Sequence, residues 1–135
     1  PFLSQSSLWE ALNERKCYGT TGPRVIMVFS MVPEGFMGDI LHVSEEPDLK
    51  ERRILKFEIM SSHAISKVEI VRNNKILNEI PGGTRQLEKT YEDVDPFEKI
   101  SLRHQDKEEQ FIFYYLRTFL RDGMAWSSPI WVVHP

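Results

Sequence analysis

Gln110-Phe111-Ile112-Phe113-Tyr114-Tyr115-Leu116-Arg117-Thr118-Phe119-Leu120-Arg121 is the strongest strand signal in the chain. Phe111, Phe113, Tyr115 and Arg117 alternate with Ile112, Tyr114, Leu116 and Thr118. A period of two puts successive side chains on opposite faces of a strand, and β-branched and aromatic residues suit that pleated surface. Asp122-Gly123 then closes a turn, and Trp126 to Val133 makes a last strand broken at Pro129. The chain therefore ends on a hairpin with bulky residues on both faces.

The same period recurs upstream. Ile54 to Met60 alternates, with Ile54, Lys56, Glu58 and Met60 facing one way and Leu55, Phe57 and Ile59 the other. Lys67 to Arg72 and Lys75 to Ile80 flank Asn73-Asn74, two residues that tolerate positive φ, which is a hairpin signal. Val25 to Met31 is apolar and β-branched and ends at Pro33-Glu34-Gly35; Met37 to Val43 gives a short second strand. Gln86 to Val94 and Lys99 to His104, parted by Asp95-Pro96, are weaker strands. Glu45 to Arg52 is a charged loop, and Pro81-Gly82-Gly83 ends the central hairpin.

The opening differs. Ser7-Leu8-Trp9-Glu10 fits a capping box, and Leu8, Ala11, Leu12 and Arg15 then share one helical stripe flanked by Trp9 and Lys16. Gly19-Thr20-Thr21-Gly22-Pro23 stops that helix near Cys17. One helix followed by about eight short strands, with no helix after residue 20, predicts a mainly β chain. The expected architecture is an antiparallel β-sandwich of immunoglobulin-like type rather than a parallel α/β fold. Residues 1–24 are the helix and connector, and 25–135 the sandwich. The 135 residues suit a single domain, with 41% hydrophobic and 27% charged residues, enough to bury a core without disulfides.

The chemistry-bearing residues are sparse. His42, His63, His104 and His134 form no H-x-H, H-E-x-x-H or C-x-x-C pattern, and Asp39 and His42 do not converge on a short strand, so no metal site is expected. Cys17, the one cysteine, falls at a helix C-terminus, where the dipole opposes a thiolate. There is no G-x-S-x-G elbow, and Glu45/Glu46 and Glu108/Glu109 read as solvated loop pairs. With net charge -3, and with Lys50, Arg52 and Arg53 interleaved among acids, a nucleic-acid partner is not expected. No apolar run is long enough to span a bilayer. Two features invite function. Gly19-Thr20-Thr21-Gly22-Pro23-Arg24 reads as a tight connector, or as a segment that points Arg24 and the threonines into a neighbouring site. The aromatics of the last hairpin read half as core and half as a sugar-binding or docking face.

Several segments carry a resemblance. Leu8-Trp9-Glu10-Ala11-Leu12 with Arg15-Lys16-Cys17-Tyr18-Gly19-Thr20-Thr21-Gly22-Pro23-Arg24-Val25, then Met37-Gly38-Asp39, Lys67-Val68-Glu69-Ile70-Val71-Arg72-Asn73, Tyr114-Tyr115-Leu116-Arg117 and Asp122-Gly123-Met124-Ala125-Trp126-Ser127-Ser128-Pro129-Ile130-Trp131 occur in order along most of the chain. This series resembles the C-terminal β extension of PHP-superfamily metal-dependent hydrolases, especially the large DUF3604 and CehA/McbA-like type. Asn73-Asn74 stands where that family usually has Asn-Gly, and Gly19 where Ala is common. The resemblance implies a parent enzyme with an upstream barrel that binds divalent metal and hydrolyses phosphoester or related bonds. The H-x-H and D-x-H motifs of that chemistry are absent from this sequence. The chain is thus expected to be a non-catalytic accessory domain from a longer polypeptide, with no cofactor of its own. Its partner would be the upstream catalytic domain, met through the opening helix. Tyr18, Thr20, Thr21 and Arg24 would lie near the interface or the active-site mouth. The alternative is an independent carbohydrate- or protein-binding module with Tyr115, Trp126 and Trp131 as its platform. A small enzyme built on Cys17 or the histidines is the remaining reading.

Overall fold

A computed structural model describes residues 3–135. In chain order the elements are α1 (Gln5–Asn13), β1 (Tyr18–Thr20), β2 (Val25–Val32), β3 (Gly35–Phe36), β4 (Ile40–His42), a 3-10 turn (Pro47–Lys50), β5 (Arg53–Ser61), β6 (Ile65–Arg72), β7 (Lys75–Pro81), β8 (Gln86–Asp93), α2 (Phe97–Ile100), β9 (Leu102–Arg103), β10 (Gln110–Leu120), β11 (Gly123–Ser127) and β12 (Ile130–His134). They form two sheets, so the chain is a β-sandwich preceded by one short helix, as the alternation predicts.

The smaller sheet has the order β3-β2-β5-β8. The larger is assembled around β10, the long alternating strand. One edge of β10 pairs with β11 through Arg117–Leu120 and with β12 through Gln110–Tyr114. The other edge pairs with β6 and with β9. β11 and β12 are in effect one strand interrupted at Ser128-Pro129, because proline supplies no ladder donor. Beyond them lie β1, antiparallel to β11, and β4, parallel to β12. The central hairpin forms as its turn residues require: Asn73 and Asn74 have φ of 51° and 62° between β6 and β7.

The core lies between the sheets. Met27, Phe29 and Met31 of β2 and Leu55, Phe57 and Ile59 of β5 face Val68 and Ile70 of β6 and Ile112, Tyr114 and Leu116 of β10, all buried. Each such side chain contributes roughly 1.5–3 kcal/mol on burial.

Three expectations need correction. The helix starts one turn before the expected cap: Ser4 is the cap, its hydroxyl accepts from the Ser7 N–H, and the Ser7 hydroxyl accepts from the Ser4 N–H, so Ser7 fills the position expected for Glu10. Residues 18–20 are not a bare connector but an edge strand, because Tyr18, Gly19 and Thr20 find partners in Ser127, Trp126 and Ala125. Lys99 to His104 is not one strand: Phe97–Ile100 turns helically to bury Phe97, and only Leu102–Arg103 pairs.

Candidate functional site

The connector residues come together at one end of the sandwich, and most of their polar groups are engaged. The Tyr18 hydroxyl donates to the Val25 carbonyl at 2.9 Å. Thr21 Oγ1 accepts from the Met124 N–H at 2.9 Å, and the Thr21 N–H donates to the Met124 carbonyl. Gly123, at φ 155°, leaves the room for this contact: a Cβ there would lie 2.3 Å from Thr21 Oγ1. Thr20 Oγ1 accepts from the Gly22 N–H. Arg24 is exposed and makes no ion pair among the described residues. It borders an open hollow of about 530 Å³ with Thr20, Pro23, Ile26, Met60 and Ser62. Tyr18, Thr20 and Thr21 thus build the junction, and Arg24 lies exposed beside it.

Just before that junction, α1 projects from the sandwich. It has no buried residue, and Leu8, Trp9 and Leu12 are 50, 68 and 59% exposed. Its C-terminal end, by contrast, is fixed. The Lys16 N–H donates to the Ala11 carbonyl and the Arg15 N–H to that of Leu12, the pair of bonds that defines a Schellman turn. Arg15 occupies the left-handed position at φ 59°, where glycine is usual. Its Nε donates to the Gly38 carbonyl at 3.2 Å. Gly38 itself, at φ 97°, lies so close that a Cβ would be 2.5 Å from the Arg15 carbonyl oxygen.

The expected aromatic platform is spread along the outer face of the larger sheet. Phe111, Phe113, Tyr115, Arg117 and Phe119 alternate outward from β10 while Ile112, Tyr114, Leu116 and Thr118 point inward. Trp131 packs across Phe113 at 4.8 Å between ring centroids and across Phe111 at 5.7 Å. Tyr115 stacks beside Phe113 at 6.5 Å. Trp126 lies opposite Arg117, further along the sheet. Arg117 and Lys67 converge on the carboxylate of Glu69, at 2.6 and 3.0 Å. Burial alone would raise the Glu69 carboxyl, but these two cations outweigh it and hold it below its ordinary value. All three platform residues are half-buried, and Trp131 borders a recess.

A buried polar cluster ties the two sheets together. Arg53 of β5 is fully buried, and its Nε donates to the Tyr114 hydroxyl at 2.8 Å. Its Nη1 donates to the Leu49 and Lys50 carbonyls, and its Nη2 to the Asp95 carbonyl. Asp93 Oδ2 accepts from the Tyr114 hydroxyl at 2.6 Å and from Arg72 Nη1 at 2.7 Å, while Oδ1 accepts from the Asp95 N–H. Burial pushes the Asp93 carboxyl up, but these donors more than compensate and depress it. Burial raises the Tyr114 phenol. Arg53, Tyr114 and Asp93 are buried and each is committed to a neighbour, with Arg72 partly exposed at the margin, so the cluster is a structural pin between the sheets.

The remaining candidates stay apart. His63 Nδ1 is 3.1 Å from Ser62 Oγ and 3.6 Å from an Asp122 carboxylate oxygen. The same ring nitrogen meets both, so no hydroxyl–imidazole–carboxylate relay exists. Cys17 Sγ is 3.6 Å from Ser128 Oγ. Among the described residues no three His, Cys, Asp or Glu side chains converge on a metal position, and no helix is long and apolar enough to cross a membrane.

With this geometry the chain belongs, by architecture, to the two-sheet β-sandwiches. No family model matches it, and no solved structure does. It is similar to an uncharacterized protein of Chlamydia pneumoniae, 36% identical over 130 residues. It is also similar to uncharacterized proteins of Chlamydia trachomatis and Chlamydia muridarum, each 38% identical over 130 residues. Each match covers 96% of this chain and 21% of the relative, so the chain spans about a fifth of the length of the curated relatives it matches.

Proposed function

We propose that this chain is a non-catalytic accessory domain that packs on, and supports, another part of a longer polypeptide. In this reading that part is a PHP-type metal-dependent hydrolase barrel upstream. The observation that carries it is α1: a helix with an apolar stripe that is largely exposed among the described residues, held at its C-terminal end against the sandwich by Arg15 and Gly38. A nine-residue helix is marginal on its own in water, so it needs a surface to lie on. Arg24, exposed at the adjoining hollow and in no ion pair among the described residues, supplies a cation for an acidic group on the same partner surface. The curated relatives, about five times longer than the match, leave room for such a partner. Divalent metal, in this reading, belongs to the partner domain and is held by its His, Asp and Glu residues.

The test is a paired measurement on Leu8→Asp/Leu12→Asp. In the 135-residue chain both positions are exposed, and the melting curve should stay within about 0.5 kcal/mol of the parent. In the full polypeptide that contains the segment, the same pair should loosen the contact, seen as faster hydrogen exchange in α1 and lower metal-dependent phosphoesterase activity. An unchanged full polypeptide would remove α1 as the contact. A full polypeptide without phosphoesterase activity would remove the hydrolase assignment.

A further inference from the structure

The edges of the two sheets are not equally protected. A free strand edge is a row of unpaired N–H and C=O groups, and so a template for another chain. β1, β3, β4 and β9 are only two or three residues long. β7 is paired across a register shift at Ile70/Val71 and ends at Pro81. The stretch of β2 that β3 leaves open is met by Tyr18, whose hydroxyl takes the Val25 carbonyl. β8 has none of these defences: its eight residues pair with β5 in one unbroken register, and no described strand lies on its other side. We propose that the charge of Lys89 holds this edge shut against a second copy of the chain.

The ladder fixes which groups are open. The Ser61 N–H donates to the Arg85 carbonyl, so the odd-numbered residues that follow turn their backbone groups to β5. Glu88, Thr90 and Glu92 turn theirs outward, to the free edge. Lys89 stands directly opposite Phe57, a buried core residue, so its side chain leaves β8 on the core side. Its neighbours on that side, Leu87 and Tyr91, pack against the core, whereas Lys89 is exposed and in no ion pair among the described residues. An incoming strand would cover Leu87 and Tyr91 favourably but would have to cover an unpaired ammonium between them.

For a second copy the cost is doubled. Two antiparallel registers pair β8 with itself over most of its length. The one centred on Lys89 sets Leu87 opposite Tyr91 and Glu88 opposite Thr90, and brings Lys89 against Lys89. That is a pair without backbone hydrogen bonds, the type in which side chains lie closest. The one centred on Thr90 sets Glu88 opposite Glu92 at both ends, and Arg52, the ion-pair partner of Glu92, softens only that contact. Like charges directly opposite destabilise a pair of strands, so each long register carries a repulsion and the one through Lys89 has no counter-ion.

The experiment is sedimentation velocity on the 135-residue chain over a range of concentrations, with amide hydrogen exchange to locate any contact. The parent should be monomeric. Lys89→Ile should self-associate at least about tenfold more strongly, with slowed exchange at the Glu88 and Thr90 amides. Lys89→Thr, uncharged and less apolar, should associate through the same amides. Lys89→Glu reverses the sign but still opposes like charges, and should stay monomeric. Lys56→Ile makes the same apolar change at an exposed position of β5, a strand paired on both sides, and should also stay monomeric. Monomeric behaviour of both uncharged variants overturns the proposal. So does association of Lys89→Glu or Lys56→Ile as strong as that of Lys89→Ile, or a parent that already pairs through the Glu88 and Thr90 amides.

Discussion

Asp93 is the residue on which most depends. Its two oxygens answer Tyr114, Arg72, the Asp95 N–H and, at 3.4 Å, Arg53. Removing its charge leaves a fully buried guanidinium without its counter-ion, a loss that costs about 3–5 kcal/mol in comparable sites. Asp93→Asn should therefore lower the stability of the chain by about that amount at pH 7, read from denaturant midpoints. The pH dependence has a definite sign. The folded carboxyl titrates below its ordinary value of 3.8, so its contribution is complete above that pH and is lost as pH falls through the depressed folded value. The gap between parent and Asp93→Asn should be constant from pH 7 to about 5 and should close under strong acid. A gap that does not begin to narrow as pH falls below 3.8 would mean that Asp93 acts through packing alone. In the sequence Arg53 stands beside Lys50 and Arg52 and reads as solvated, whereas its side chain is wholly buried. Parity was the available signal: Arg53 shares the face of Leu55, Phe57 and Ile59. Charge clustering outweighed it because a lone arginine is rarely buried without a partner, and the partner, Asp93, lies 40 residues on, paired opposite Arg53 in β8.

At the scale of elements, the Schellman turn at the end of α1 and the loop after β3 form one joint. Gly38→Ala would drive a methyl into the Arg15 and Glu14 carbonyls at 2.5–2.7 Å and strain a left-handed backbone. It should cost about 2 kcal/mol or more and should free α1 first, seen as loss of protection at the Arg15 and Lys16 amides while β5 amides keep theirs. Equal loss in both places would contradict the joint as a local device. Elements whose signals are local were legible. The alternation of Ile54 to Met60 assigns the inner and outer faces of β5 as they stand, and Asn73-Asn74 takes the positive φ that its hairpin requires. Elements that depend on distant partners were not. Nothing near Tyr18–Thr20 announces a strand, because its ladder is completed by Ala125–Ser127, more than 100 residues away. The aromatic face was legible as a face. That Trp131 borders a recess was not, since the recess also takes in residues of the 104–109 loop and Ile40 of β4.

Taken whole, the molecule joins a well-packed sandwich to a helix that shares none of its core. Hydrogen exchange should separate the two: amides of β2, β5, β6 and β10 should exchange only on global unfolding, and those of α1 by local opening at far lower cost. Uniform protection across α1 and the sandwich would argue against an unpartnered helix. The position of β10 also imposes an order of events. Its neighbours β6, β9, β11 and β12, and through them β1 and β4, acquire their places only when residues 110–120 exist. The smaller sheet needs nothing beyond residue 93. As the chain leaves the ribosome, one sheet can be complete while the other still waits for its central strand. The inner face of the first, with Phe29, Leu55 and Phe57, stays uncovered for that interval, which makes the nascent chain a client for holding factors until its last segment emerges.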